Sequence, residues 1–137
     1  LALLVFLLGG VVLVAEEPQE PALADRQRFG FVATSANWYE EFDVAQLRAG
    51  WFVDATYPAC GITPEGMERA YLLGTHTGQT VDPDSLGPIV DNHPGILWLI
   101  GNEPDSIWQD NVWPEEYARI YHDYYTFIKD RDPTSQV

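Results

Sequence analysis

The stretch Ile96-Leu97-Trp98-Leu99-Ile100 constrains this chain more than any other. An unbroken apolar run of this length, set between Gly95 and Gly101, reads as a parallel strand covered on both faces. Parallel strands need crossover connections, and a helical pattern follows this one. Tyr117, Ile120, Tyr121, Tyr124, Phe127 and Ile128 recur at helical spacing and predict a helix over residues 114–130. Pro114, Glu115 and Glu116 suit its first turn, Lys129 and Arg131 its last, and Pro133 stops it.

The same alternation extends upstream. Residues 29–34 are β-rich and run into Ser35-Ala36-Asn37, a loop opening. Residues 39–48 offer Phe42, Ala45 and Leu47 for a short helix stopped by Gly50, and residues 51–55 form a second strand candidate. Residues 67–73 fit strand or helix by periodicity, and the alternating neighbours favour strand. Residues 82–92 predict a short helix with Leu86, Ile89 and Val90 on one face, and residues 132–137 approach another strand. Such an order implies an α/β fold with parallel strands and crossover helices. Doubly wound sheets and (β/α) barrels share it, and periodicity does not choose between them.

Composition narrows the partners. With 46% hydrophobic and 13% aromatic residues, the chain has the means to build a core. A net charge of −14 repels phosphate backbones, which argues against nucleic acid and leaves neutral ligands such as sugars compatible. Cys60 is the only cysteine, so no internal disulfide forms, and a small buried thiol is expected. Residues 1–15 are apolar and uncharged; a Glu/Pro stretch follows, then Ala22-Leu23-Ala24 in the A-x-A form of a cleavage site. Residues 1–24 are therefore expected to be a signal peptide, or a membrane tether through residues 1–15 plus a linker, with residues 25–137 as the folded domain. Either reading exports the domain, as a secreted or membrane-anchored protein.

Gly101-Asn102-Glu103-Pro104-Asp105 directly follows the strongest strand. In α/β folds the active site gathers at the C-terminal ends of the strands, because the following loops converge there. Gly101 permits a turn and Pro104 ends β pairing, which leaves an amide and a carboxyl at the strand tip. Taken alone, so short a motif reads first as a polar loop with a solvated glutamate.

The longer segment Asn92-His93-Pro94-Gly95-Ile96-Leu97-Trp98-Leu99-Ile100-Gly101-Asn102-Glu103-Pro104 resembles the fourth-strand region of the large clan of retaining (β/α)8-barrel glycoside hydrolases, which includes endoglucanases, mannanases and β-galactosidases. Trp113-Pro114-Glu115-Glu116-Tyr117-Ala118 and Asp132-Pro133-Thr134 are similar to that clan's fourth helix and its lead into strand five, and Trp51-Phe52-Val53-Asp54 to its second strand. The resemblance is strong over residues 92–137, moderate over 29–55 and poor over 56–91. It implies a TIM barrel of which about the first four β/α units are present, hence an N-terminal fragment. It makes Glu103 the general acid/base and gives Asn102 a hydrogen bond to a sugar 2-hydroxyl. The clan's nucleophile is a glutamate on strand seven, outside this chain, and Asp105, Asp110 and Glu115 are not substitutes for it. The chain alone is then expected to be inactive, and no cofactor is implied.

Other strand-end residues are candidate substrate contacts. Asn37 and Trp38 follow the first strand, Asp54 the second and His76 the third; Trp108 lies in the loop after the fourth, where an indole can stack on a sugar ring. Trp113 either joins that subsite or staples the next helix. His93 falls at the opposite rim and reads as structural, while His122 reads as an exposed helix residue. The histidines are too scattered for a metal site, with no H-x-x-x-H or H-E-x-x-H, and no nucleophile elbow, P-loop or G-x-G-x-x-G occurs. A glycoside hydrolase acting on a β-linked glycan is the first expectation. A non-catalytic carbohydrate-binding or cell-surface barrel is the second, and an α/β domain unrelated to sugars is the third. Oligomeric state is not readable.

Overall fold

A computed structural model describes residues 28–35, 42–58 and 62–137. The leader or anchor expected over residues 1–24, and the candidates Asn37, Trp38 and Cys60, lie outside the described residues. Among those residues no helix is long and apolar enough to cross a membrane.

Four strands, β1 (Gly30–Ala33), β2 (Trp51–Asp54), β3 (Glu68–Leu73) and β4 (Leu97–Ile100), form one sheet. Every pairing is parallel and the spatial order β1-β2-β3-β4 repeats the chain order. Helix α1 (Pro83–Asn92) connects β3 to β4, and α2 (Pro114–Arg131) follows β4. After α2 the chain returns to the free edge of β4: Gln136 bridges Leu97 in parallel, with its carbonyl accepting from Trp98 N at 2.8 Å. The segment expected to approach another strand therefore begins to pair as one.

Strand residues on alternate sides meet different surroundings. Tyr71, Leu73, Trp98 and Ile100 form one core with Leu86 and Val90 of α1 and Ile120, Tyr124 and Ile128 of α2. Crossovers are right-handed, so strands added in one direction carry their helices on the same face. The other face is open among the described residues, with Leu97 40% and Leu99 36% exposed alongside Val32 and Trp51. The apolar run of β4 was expected to be covered on both faces, and only one has helices against it. On the open face the Trp51 ring lies across Gly30, where an added Cβ would fall 2.3 Å from Trp51 Cδ2; a side chain there would push the ring away.

Local chemistry accounts for the ends of the elements. Asp82 caps α1, its Oδ1 accepting from Asp84 N and Ser85 N and its Oδ2 from Ser85 Oγ, and Pro83 follows at a position that needs no N–H donor. Helix α2 starts with Pro114, Glu115 and Glu116 and ends with Lys129 and Arg131, matching the polarity of the helix dipole. Arg131 pairs with Asp91 and ties the two helices together.

Two expectations change. The helix over residues 39–48 shrinks, within the described residues, to a single 3-10 turn at Val44–Leu47, closed by Arg48 at φ 50°. Asp43 makes no side-chain cap there, and so short a segment gains too few hydrogen bonds to offset helix nucleation. Residues 67–73, ambiguous by periodicity, are strand from Glu68 onward: Arg69, Tyr71 and Leu73 alternate onto the buried face in register with β2 and β4.

Candidate functional site

The C-terminal tips of β2, β3 and β4 lie side by side, so the loops that follow them share one rim. Its centre is the turn after β4. Gly101 sits at φ 91°, a left-handed conformation that glycine adopts without strain. Its amide donates to Leu73 O at 2.7 Å, and the Tyr117 hydroxyl donates to Ile100 O at 2.9 Å. Burial raises the Tyr117 pKa, with the nearby Tyr121 and Asp110 adding to the effect, so the phenol is a secure donor. The strand tip is thus fixed from both sides before the chain reaches Asn102.

Glu103 is exposed and takes φ 46°, left-handed without being glycine. That geometry costs about 1–3 kcal/mol and persists only where surroundings impose it. Here the loop imposes it: Ser106 N donates to Glu103 O, Val112 N to Pro104 O, and Asp110 N to Asn102 O. Among the described residues the Glu103 carboxylate has no hydrogen-bond or ion-pair partner. Asn102 Nδ2 donates to Gln109 Oε1 at 2.8 Å, which orients the amide and leaves its second N–H and its Oδ1 for another group.

Asp110 holds the rim together. Its carboxylate is buried, and Oδ2 accepts from Thr75 N at 2.8 Å, Thr75 Oγ1 at 2.6 Å and Asn102 N at 2.8 Å. The loop after β3 is thereby joined to the loop after β4. Glu116 adds a second tie by accepting from Gly78 N at 2.8 Å, and Gln79 Nε2 a third by donating to the Tyr124 hydroxyl. His76 lies on this rim with Nδ1 3.6 Å from Asp110 Oδ1, its side chain largely exposed.

The structure therefore brings Asn102, Glu103 and His76 to one rim, two of them through Asp110. Trp108 is also on the loop after β4 and is 85% exposed, with no ring partner among the described residues. Trp113 is 78% exposed and borders a cleft of about 660 Å³ with Ile107, Pro104 and Tyr117. Asp54 is placed differently from the others. It is 1% exposed at the tip of β2, its Oδ1 taken by Thr56 N and Oγ1 and its Oδ2 3.6 Å from Arg69 Nη1. Arg69 also lies over the Phe52 and Tyr71 rings, so Asp54 is engaged inside the fold. His93 packs edge-on against Tyr71 with Nδ1 2.9 Å from Ile89 O, and His122 is exposed on α2. Among the described residues no three His, Cys, Asp or Glu side chains are grouped to hold a metal ion.

Asp110 is the residue that sequence reasoning missed. Its partners at Thr75 are 35 positions away, and nothing in Trp108-Gln109-Asp110-Asn111 marks it out from any other polar loop. Comparison with family models, curated proteins and solved structures finds no match.

Proposed function

We propose that this chain is the N-terminal part of an exported (β/α)8-barrel glycoside hydrolase that cleaves β-linked glycans with retention, and that Glu103 is its general acid/base. The observation that carries the reading is the Asn102-Glu103 turn. A glutamate with an unengaged carboxylate is held in a strained backbone at the tip of a parallel strand, beside an oriented amide. Strain of this kind gathers at active sites because the surrounding fold must stabilise it. The barrel part of the reading is supported by the strand order, which continues in one direction without the reversal of a doubly wound sheet, and by Gln136 joining the next edge. The export part is supported by the apolar residues 1–15.

In this mechanism Glu103 protonates the leaving glycosidic oxygen, then deprotonates the water that releases the sugar. The free N–H or Oδ1 of Asn102 bonds the sugar 2-hydroxyl. His76 contacts another hydroxyl, and Trp108 offers an indole face to a neighbouring ring. The nucleophile must sit about 5–5.5 Å from Glu103. Asp54 is buried beside Arg69 and Asp110 is buried with three donors on its Oδ2, so neither is offered to a sugar, and the role is assigned to a residue outside this chain.

The test is Glu103→Gln in the whole protein. Turnover of β-linked substrates with poor leaving groups should fall by about 10²–10⁴-fold, the usual worth of a positioned acid. Stability should be nearly unchanged, because the carboxylate is exposed. Full turnover in the variant overturns the assignment. A second reading, a carbohydrate binder without catalysis, draws on the exposed Trp108 and Trp113. It predicts sugar binding with no hydrolysis in the wild type.

A further inference from the structure

Asp110 has more connections than stapling two loops requires. Oδ2 already receives three donors, from Thr75 N, Thr75 Oγ1 and Asn102 N. Oδ1 is left facing His76 Nδ1 at 3.6 Å, and among the described residues it belongs to the only acidic group at ion-pair distance from that ring. The ring rests against Gly74, where an added Cβ would lie 3.2 Å from His76 Nε2. The imidazole is thus placed with one nitrogen toward a buried carboxylate. A carboxylate accepts and does not donate, so it favours the tautomer whose proton is on the facing nitrogen.

We propose that Asp110 is a positioning residue that sets His76 as the Nδ1–H tautomer. Nε2 is then the acceptor of the ring, available to a hydroxyl donor. The same carboxylate holds the backbone of Asn102, so the acceptor on the β3 loop and the amide on the β4 loop are registered by one group. The identity of the hydroxyl donor as a sugar rests on the function proposed above; the tautomer does not.

Asp110→Asn separates this role from simple stapling. The carbonyl oxygen of the introduced carboxamide must take the Oδ2 position, since an NH2 there would face the donors Thr75 N and Asn102 N. Its NH2 then points at His76 Nδ1, which becomes an acceptor, and the proton moves to Nε2. Long-range ¹H–¹⁵N correlation spectra of the ¹⁵N-labelled whole protein, recorded where raising the pH no longer changes them, report the neutral tautomer directly. Wild type should show Nδ1–H, and Asp110→Asn should show Nε2–H. Glu103→Gln should leave the wild-type tautomer in place. An Nε2–H tautomer in the wild type overturns the proposal without recourse to any variant, and so does a tautomer that Asp110→Asn fails to change. On a β-linked substrate, Asp110→Asn should raise KM about three- to tenfold, the worth of one hydrogen bond, with kcat nearly kept. An unchanged KM shows that no sugar hydroxyl depends on donating to Nε2. If Glu103→Gln retains full turnover while the tautomer switches as described, the hydrolase reading fails and the positioning role stands.

Discussion

At the scale of single residues, the turn after β4 depends on two side-chain choices that act from opposite sides. Gly101 must be free of a Cβ, which would meet Tyr117 Cε2 at 2.8 Å and Thr75 Oγ1 at 3.1 Å in a backbone already at φ 91°. Gly101→Ala should therefore cost about 1–3 kcal/mol by urea denaturation, from the backbone strain alone. Asp110 must be an acceptor. Asp110→Ala strands the buried Thr75 amide and the half-buried Asn102 amide and should cost about 2–4 kcal/mol, whereas Asp110→Asn, which keeps a carbonyl oxygen in place, should cost clearly less. Equal losses for the two Asp110 variants would show that its volume, not its acceptor, supports the turn. The sequence marked Gly101, Asn102 and Glu103 because they adjoin a strong strand. It did not mark Asp110, whose importance comes from a contact across 35 positions. Nor did it mark Asp54 as internal, since Arg69 reaches it only once β2 and β3 have paired.

At the scale of elements, local signals were enough where an element carries its own boundaries. Helices α1 and α2 and strand β4 are bounded by Asp82, Pro114, Gly95 and Gly101, and the apolar spacing of the two helices matches what they bury, whereas the unbroken run of β4 buries only Trp98 and Ile100. The turn at Val44–Leu47 has no such cap, and a few apolar residues near helical spacing overstated it. The junction from α2 back to the sheet is built on Asp132. Its carboxylate accepts from the Ser135 and Thr134 hydroxyls, Gly95 N and Thr134 N, and these bonds hold its pKa well below the ordinary carboxylate range. Ser135 Oγ in turn accepts from Trp98 Nε1 at 3.2 Å, so the turn is tied to the core side of β4. A depressed folded-state pKa means that Asp132 contributes its full stability above the unfolded value of about 3.9 and loses it as pH falls toward the folded value. The urea midpoint should therefore drop between about pH 4 and pH 2, and Asp132→Asn should lower the midpoint at neutral pH while flattening that acid limb. An acid limb identical to wild type in the variant would assign the drop to other carboxylates.

At the scale of the whole molecule, the sheet has one face packed under two helices and one face of Val32, Trp51, Leu97 and Leu99 left open among the described residues. An open sheet and a closed barrel give this face opposite fates. In an open sheet Leu99 remains at the surface, where a charged substitution usually changes stability by less than about 0.5 kcal/mol. In a barrel the same side chain points inward and is enclosed by strands from the opposite wall, so a charge there is taken out of water with no partner. Leu99→Lys in the whole protein distinguishes the two. The proposed barrel predicts a loss of several kcal/mol or failure to fold, because an unpaired buried ammonium is among the costliest single changes available to a core. Arg119→Lys on α2, an exposed position that keeps its charge, serves as the control and should shift the urea midpoint little. A near-neutral Leu99→Lys would leave the parallel sheet intact and rule out barrel closure over this face. It would also remove the structural reason to seek a nucleophile on an opposing strand, so the same measurement bears on the fold and on where the second carboxylate of the proposed mechanism can come from.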